Sequence, residues 1–542
     1  MIRRFTLVWW GIVLVCTVGL VWQTRQMLAV GAILQPQRGG TYSEGVVGRI
    51  SNVNPVLPEN SASADAVRLV FSGLTRFDAQ GNLKPDLATS WQVSPDGRTY
   101  TFKLRKNVTW HDGMPFTAQD VAFTLAAIQN PDTRSSLATS WKGVKVEAVD
   151  DYTVVYTLPK PYSPFIQATT VGILPRHLLE SVPPKMLRVA DFNQKPVGTG
   201  PYKLDEIDAQ VGSVTFRANK DYYGGRPLIN EVVLRSYESS EQALQAYSRR
   251  QVMGVSRLRS GQVEDAKELG TIKLYEAGTP DRVGVFFRTN TGVLQDKKVR
   301  IALSYATDRS AIIKDRFEGF ASAASGPLTA PRFSMIGVAQ APRYNIAAAN
   351  SALDSAGWTL GADGIRQKNG QKLTIKLVTQ TGTSYGDVAK QLRQQWRTVG
   401  VNLEIQEHDA MTLQQSYIRP RNYDALLYGI NVGADPDVYA FWHSSQAADP
   451  GSNLSAYKST VADQALESGR TISDMPTRSA KYRSFVQTWV NDAPAVMLYN
   501  PTYIYAVDRE VRGIKIKRLV TPADRFDGIE RWSVKVKVQQ RH

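Results

Sequence analysis

"KLTIKLVTQTGTSYGDVAKQLRQQWRTVGVNLEIQ", residues 372–406, contains a complete strand–helix–strand pattern. At its start, Leu373, Ile375 and Leu377 alternate with polar residues, which is typical of a strand with one buried face, and the last six residues repeat this alternation. Between them, apolar residues recur on one face of a predicted helix that ends before Gly400. Two strands joined in this way run parallel with a right-handed crossover, so the sequence predicts an α/β fold.

Two predicted loops lie at the carboxyl ends of strands, where open α/β sheets hold ligands. The first is TQTGTSYG (379–386), and the second is NVGA (431–434), which follows the apolar run DALLYGI. Asp435 and Pro436 then fit the N-cap and the first position of a helix that carries Trp442. The amino end of that helix points at a possible ligand, although a capping role alone explains an aspartate here.

Composition and charge indicate a globular chain without metal chemistry. The 542 residues carry a formal net charge of +16, but Lys and Arg occur singly or in short groups interleaved with acids, unlike the runs of a nucleic-acid binder. Cys16 is the only cysteine, and none of the five histidines lies at metal-ligand spacing from another. We therefore predict no metal, no cofactor and no nucleic-acid partner, and a basic surface suited to anionic envelope polymers or lipid.

The first 37 residues form a separate segment. Twenty uncharged residues, 5–24, follow Arg3 and Arg4, and at 1.5 Å per residue they reach about 30 Å, the thickness of a bilayer core. A signal anchor and a cleaved signal peptide both fit this pattern. Arg25 separates the apolar run from the small residues that a signal peptidase would need, which favours the uncleaved anchor. With Arg3 and Arg4 inside, the rest of the chain lies outside the cytoplasmic membrane.

The stretch YTFKLRKNVTWHDGMPFTAQDV (100–121) places His111 beside Asp112. Alternating residues before this pair indicate a strand, and Asp-Gly is turn chemistry. Thr117 and Asp120 after the pair resemble a capping box at the start of a helix. The pair is therefore interpreted as a turn. A hydrolase is the alternative, but the chain has no G-x-S-x-G motif and no second motif to join His111.

Six stretches in one order resemble the extracytoplasmic solute-binding proteins of ABC importers, the peptide/nickel/oligosaccharide class known as family 5. The longest runs from NPVLPEN through WHDGMPFTAQDVAFTL. The stretches are 54–125, PVGTGPYKL (196–204), VRIALSYATDRSAII (299–313), YNIAAANSALDSAGW (344–358), LRQQWRTVGVNLEI (392–405) and GADPDVYAFWHSSQ (433–446).

The resemblance implies a two-lobe, periplasmic-binding-protein-like α/β fold with an extra inserted domain, behind the N-terminal transmembrane or signal helix of residues 1–37. The chain would cross between the lobes near 288–290 and 499–501. The implied parts are lobe one at 38–75, 197–287 and 492–542 (the last including a C-terminal tail), the inserted domain at 76–196, and lobe two at 288–491.

The function that the resemblance implies is capture rather than catalysis. Such a protein binds a peptide or other oligomeric polar solute by lobe closure and delivers it to a membrane permease with its ATPase subunits. In the family's peptide binders, a carboxylate takes the ligand's amino terminus from the position that falls here at Asn431 or Val432, so that anchor is missing unless Asp435 or Asp437 substitutes. An oligosaccharide ligand therefore stays open, as does a membrane-anchored binding or sensing protein that is not coupled to transport.

We expect the ligand between the lobes, against the two loops described above. Aromatic rings there would stack on sugars or pack against peptide side chains, and an asparagine can both donate and accept hydrogen bonds. Core packing is the alternative for each aromatic residue. The predicted ligand-binding residues are Tyr385, Tyr428, Asn431, Asp435 and Trp442.

Overall fold

The structure, a computed structural model, describes residues 33–328 and 339–539 together with Thr17. The predicted anchor or signal peptide at 5–24 lies outside these residues, apart from Thr17. Within the described part of the chain, every helix is too short or too polar to cross a bilayer.

The strand–helix–strand unit predicted from the sequence is confirmed. Thr374–Gln380 pairs in parallel with Asn402–His408, and helix Tyr385–Arg397 connects them. The apolar face of this helix is buried against the sheet, where the indole Nε1 of Trp396 donates to Thr307 Oγ1 at 3.0 Å. The helix is thus fixed to the sheet by apolar burial and by one satisfied polar group.

One large mixed sheet runs through two halves of the molecule. Its strands, in spatial order, are Asn402–His408, Thr374–Gln380, Ala425–Asn431, Asp281–Phe287, Ala495–Asp508, Gly254–Leu258, Thr41–Val47, Glu231–Tyr237, Ser213–Ala218 and Tyr202–Asp208, with Ile272–Gly278 and Ala321–Ala323 also pairing with Ala495–Asp508. The fold is α/β, as the sequence predicts.

The long strand Ala495–Asp508 belongs to both halves of the sheet. Its first part pairs with Asp281–Phe287, and its second part pairs with Ile272–Gly278. Between these two partner strands the chain contains only Thr279 and Pro280. The two halves are therefore joined by the middle of a continuous strand and by a two-residue connection.

Strand Asp281–Phe287, which the resemblance assigns to lobe one, pairs along its length with Ala425–Asn431. Its buried residue Val285 lies in the same core as Trp396, whereas the core of the other half surrounds Tyr505. Strand pairing and core packing thus both group this strand with the half that contains the strand–helix–strand unit.

A third core belongs to a separate four-stranded antiparallel sheet, which packs against helix Ala118–Gln129. Its strands are Ala88–Val93, Thr99–Leu104, Thr153–Thr157 and Lys145–Asp150 in spatial order. The smaller sheets pair Ile33–Gln37 with Lys535–Gln539, Thr75–Phe77 with Leu83–Pro85, and Thr359–Leu360 with Arg366–Lys368 and Gln371–Lys372.

The α-helices of the described residues cover both faces of these sheets and the connections between them. They are Ser61–Val70, Ala118–Gln129, Ala138–Trp141, Arg176–Leu179, Ser240–Ser248, Val263–Glu268, Lys297–Tyr305, Arg309–Phe317, Ile346–Ser355, Tyr385–Arg397, Ala410–Thr412, Tyr439–Trp442, Thr460–Thr471 and Met475–Asp492.

Candidate functional site

Two adjoining cavities lie where the halves of the large sheet meet, and together they are called the cleft here. The larger has a volume of about 870 Å³ and the smaller about 280 Å³. The residues shared by both linings are Leu258, Pro501, Thr502 and Ile504. The larger cavity takes polar residues from both halves of the sheet, for example Gln262 from one and Thr383 from the other. A cleft of this size between two rigid bodies is a common ligand site.

The predicted loop after strand Thr374–Gln380 reaches the larger cavity. Gly382, Thr383 and Ser384 line it, and Tyr385 begins the helix that follows. Parallel strands present their carboxyl ends at one sheet edge, so the loop takes its place from the strand pairing rather than from its own sequence.

Tyr385 and Tyr428 lie half-buried near each other. Burial raises the pKa of Tyr385 to about 12, and the neighbouring Tyr428 and Asp281 add to the rise. The Tyr385 hydroxyl also lies so close to Gly429 that a Cβ at that position would be 2.5 Å from the oxygen. Only glycine therefore fits at position 429 while Tyr385 keeps this position.

Asn431 is exposed at the end of its strand and lines the smaller cavity. Its side-chain Nδ2 donates to Asp281 Oδ1 at 2.7 Å, and its Oδ1 accepts the Gly433 N–H at 3.0 Å. The two side chains meet because Asn431 and Asp281 are register partners in the antiparallel pair. Val432, the other position considered for the missing carboxylate, is buried.

Asp435 is held in a tertiary ion pair. Its carboxylate accepts two hydrogen bonds from the Arg478 guanidinium, at 2.8 Å and 2.5 Å, and its Oδ1 also accepts the Asp437 N–H. The predicted helix start is wrong, because the helix is only Tyr439–Trp442 and Asp437, not Asp435, accepts the N–H of Tyr439. Asp435 thus accepts Arg478 together with an N–H two residues ahead, which closes a turn before the helix and leaves the cap to other residues.

Trp442 lies in the hydrophobic core with no solvent exposure. Its ring stacks on Phe286 at 5.7 Å between centroids and meets Trp489 edge-on at 5.3 Å. These contacts favour the packing alternative for Trp442, since a ligand in the cleft would reach the indole only after the core opened.

Of the predicted ligand-binding residues, Asn431 lines the smaller cavity, Asp435 lines a separate cavity of about 180 Å³, Trp442 is buried in the core, and Tyr385 and Tyr428 line neither part of the cleft. Asp281 and Arg257, which sequence reasoning missed, also line the smaller cavity. Asp281 follows Thr-Pro and opens an apolar run, which is a plain strand-start pattern without any functional signal. Only the pairing of strand Asp281–Phe287 with strand Ala425–Asn431 shows that Asp281 lies beside Asn431.

His111 and Asp112 have separate partners, as expected for a turn. His111 Nδ1 accepts the Gly198 N–H at 3.2 Å, so the ring proton is on Nε2, which donates to Gly200 O at 3.1 Å. Burial lowers the pKa of His111 to about 4. Asp112 Oδ2 instead lies 2.8 Å from the Nε2 of His177. His111 thus ties the turn to the 198–200 backbone.

The described residues contain no group of three or more His, Cys, Asp or Glu side chains placed to hold a metal ion. The cleft linings offer hydrogen-bonding groups such as Gln262 and Thr383, the charged groups of Asp281 and Arg257, and the aromatic ring of Phe320.

Comparison with known proteins identifies relatives along most of the chain. Oligopeptide-binding protein AppA of Bacillus subtilis is 29% identical over 517 residues, covering 92% of each chain. Protein XP55 of Streptomyces lividans is 30% identical over 517 residues, covering 91% of this chain and 87% of XP55.

Solved structures with the same fold include two complexes. NikZ from Campylobacter jejuni in complex with Ni(L-His) superposes with a TM-score of 0.76 at 29% identity, covering 91% of this chain and 99% of NikZ. Bacillus subtilis AppA in complex with a nonapeptide gives 0.72 at 28% identity, covering 92% of this chain and all of AppA.

The family model described as "Bacterial extracellular solute-binding proteins, family 5 Middle" matches residues 82–452, which span the four-stranded sheet, the strand–helix–strand unit and the Asn431 loop. Members of this family are substrate-binding proteins with the two-lobe α/β fold. The chain belongs to the bacterial extracellular solute-binding proteins, family 5.

Proposed function

We propose that this chain is the extracytoplasmic substrate-binding component of an ABC importer and that it captures peptides between its two lobes. The observation that carries the proposal is the cleft of about 870 Å³ and about 280 Å³, placed where only two connections join the halves of the sheet in the described chain. The nonapeptide complex of AppA and the peptide-binding names of the Brucella relatives support a peptide.

Closure would be a hinge motion between the lobes, with the inserted domain at 76–196 carrying its own sheet and core. We propose that one lobe boundary lies at Thr279 and Pro280 instead of at 288–290, because Asp281–Phe287 pairs with lobe-two strands. The second boundary would lie near 499–501, within the shared strand.

We propose Tyr385, Tyr428 and Asn431 as ligand contacts. Asn431 ends its strand and lines the smaller cavity, Tyr385 follows the loop 382–384 that lines the larger one, and Tyr428 lies near Tyr385, which supports this choice. Asp435 and Trp442 would not touch the ligand. They would hold the 431–442 segment in place through the ion pair with Arg478 and the core contact with Phe286. The neutral Asn431 amide also suits a sugar hydroxyl, which keeps an oligosaccharide as the second candidate.

The partners of such a protein are a permease and its ATPase subunits at the cytoplasmic membrane. We propose that residues 5–24 anchor the chain there, on the strength of the uncharged run after two arginines. Amino-terminal sequencing of native protein checks this, and a mature start near residue 33 would instead show a cleaved signal peptide. Loss of peptide uptake on deletion of the gene would separate transport from a surface sensing role.

Mass spectrometry of small molecules that co-purify with the folded, full-length chain tests the capture of peptides. We expect peptides to be released on unfolding. Recovery of oligosaccharides alone would favour the second candidate, and recovery of neither, together with no binding of peptide or sugar panels in calorimetry, would contradict solute capture.

A further inference from the structure

The smaller cavity of the cleft carries two opposite charges that do not pair with each other. Its charged lining residues are Asp281 and Arg257. Arg257 donates to Ser61 Oγ at 3.0 Å, and neither residue forms an ion pair within the described parts of the chain. A cavity with an unpaired carboxylate and an unpaired guanidinium is complementary to a ligand that itself carries charge.

Asp281 is held in a defined orientation although it lacks a cationic partner. Asn431 donates from Nδ2 to Asp281 Oδ1 at 2.7 Å. The Gly433 N–H donates to Asn431 Oδ1, so the Asn431 side-chain amide is oriented with its nitrogen toward Asp281. Asp281 Oδ2 has no hydrogen-bond partner among the described residues. An ionised carboxylate only accepts hydrogen bonds, so this oxygen remains available to a donor from a ligand.

The two aspartates of the segment that follows Asn431 are paired with arginines. Asp435 binds Arg478, and Asp437 lies 3.1 Å from the Arg470 guanidinium. Neither carboxylate is therefore free for a ligand, and Asp281 is the one of these three that has no arginine partner in the described chain.

We propose that Asp281 accepts the ammonium group of the ligand and that Asn431 positions it for this contact. The proposal rests on solute capture in the cleft and narrows the ligand to solutes with a free primary amine, such as peptides with an unmodified amino terminus. A charge-assisted hydrogen bond of this kind is roughly twice as strong as a neutral one. Neutral oligosaccharides cannot supply it.

The surroundings of Asp281 fit a cation. The Asp281 carboxylate lies near enough to the Tyr385 phenol for its charge to add to the raised pKa of that group. Tyr385 and Tyr428 are half-buried aromatic residues, and aromatic faces attract cations.

The same arrangement would couple binding to lobe closure. Closing the cleft without a ligand removes water from an unpaired carboxylate, which is costly. A bound ammonium offsets that cost, so an amine ligand favours the closed state more than a neutral one does.

The test compares Asp281→Asn with the wild type in calorimetry, using a random tetrapeptide library with free amino termini and the same library after acetylation. We expect the full-length wild-type chain to bind the free library at least tenfold more tightly than the acetylated one. Asp281→Asn should lose this preference, and Asn431→Ala should weaken it by about threefold to fivefold, because the charge stays while its orientation is lost. Asp221→Asn, at an exposed aspartate outside both cavities, is the matched control.

Equal binding of the two libraries by the wild type would contradict the contact between Asp281 and the ligand ammonium. An unchanged preference in folded Asp281→Asn would contradict it too. Either result would leave peptide capture in place. Binding of maltotetraose but of neither peptide library would contradict the Asp281–ammonium contact and would indicate that the cleft captures a sugar. Binding of none of these probes would also overturn solute capture in the cleft. Circular dichroism and thermal unfolding of each variant establish that its fold is intact.

Discussion

The corner at 100–121 and the loop at 431–442 both contain an aspartate that the sequence places at the start of a helix. At the corner, Asp120 Oδ2 accepts the N–H of Thr117, three residues away, at 2.9 Å. In the loop, Asp435 accepts the N–H of Asp437, two residues ahead, and also two hydrogen bonds from Arg478, 43 residues along the chain. Asp120 also accepts a tertiary N–H, from Arg176, but its local partner Thr117 belongs to the helix cap itself, whereas no partner of Asp435 in the described chain belongs to the cap of helix Tyr439–Trp442.

This difference explains why one helix start was predicted and the other was not. The helix after Thr117 begins at Ala118, as the capping-box pattern indicates, whereas the helix after Asp435 begins only at Tyr439. Asp120 accepts the N–H of the N-cap residue, whereas Asp435 accepts an N–H two residues ahead and so closes a turn that precedes the helix.

The largest expected effect comes from breaking the long-range contact. Asp435→Ala should lower the free energy of unfolding by about 3–5 kcal/mol, because it removes the carboxylate that accepts two hydrogen bonds from the buried Arg478 guanidinium. Chemical denaturation measures this loss. The double variant Asp435→Leu/Arg478→Met should recover much of this loss of stability. If Asp435→Ala alone stays within about 1 kcal/mol of the wild type, the ion pair contributes little.

A smaller effect is expected at the corner when the pH falls. Burial holds the pKa of His111 at about 4, against an ordinary value near 6.5, with Lys203 lowering it and Asp112 opposing. The neutral ring thus stabilises the fold above about pH 6.5, and this contribution is lost as the pH falls through about 4.

We expect the wild type to lose about 2 kcal/mol more than His111→Gln between pH 7 and pH 4. Denaturation at both pH values measures the difference. Parallel pH curves for the two proteins would mean that the ring is protonated in the fold without penalty. A loss of ligand binding in folded His111→Gln would contradict the purely structural role of the turn.

The local cap itself should contribute less. Thr117→Ala should lower the free energy of unfolding by about 1 kcal/mol, the usual effect of removing an N-cap side chain. Thr117→Ser is the control and should behave like the wild type. A cost of about 3 kcal/mol or more for Thr117→Ala would show that the corner depends on tertiary contacts as strongly as the loop does.

The smallest effect on stability should come from Asp281, despite its proposed importance for the ligand. Asp281→Ala should change the free energy of unfolding by less than about 0.5 kcal/mol, because the residue makes no ion pair in the described chain and lies partly exposed. A loss comparable to that of Asp435→Ala would indicate that Asp281 is also a structural residue.

The two loops of the candidate site could be predicted from the sequence, because each follows a strand that has a local apolar pattern. Asn431 ends one of these strands and lines the smaller cavity, and Tyr385 begins the helix after the loop that lines the larger cavity. The sequence could not show which of the predicted aromatic residues face the cleft and which are buried in the core. Trp442 and a cleft-facing tryptophan would have the same local pattern, and only the packing of Phe286 and Trp489 distinguishes them.

By itself, the sequence determined the α/β class, the strand–helix–strand unit, the capped corner and the family resemblance, because periodicity and capping depend on residues within a few positions of each other. Only the tertiary structure decided that Asp435 pairs with Arg478 and that Asp281 stands unpaired beside Asn431. Such contacts join residues 43 and 150 positions apart, so their formation depends on strand register and domain packing, which no local pattern encodes.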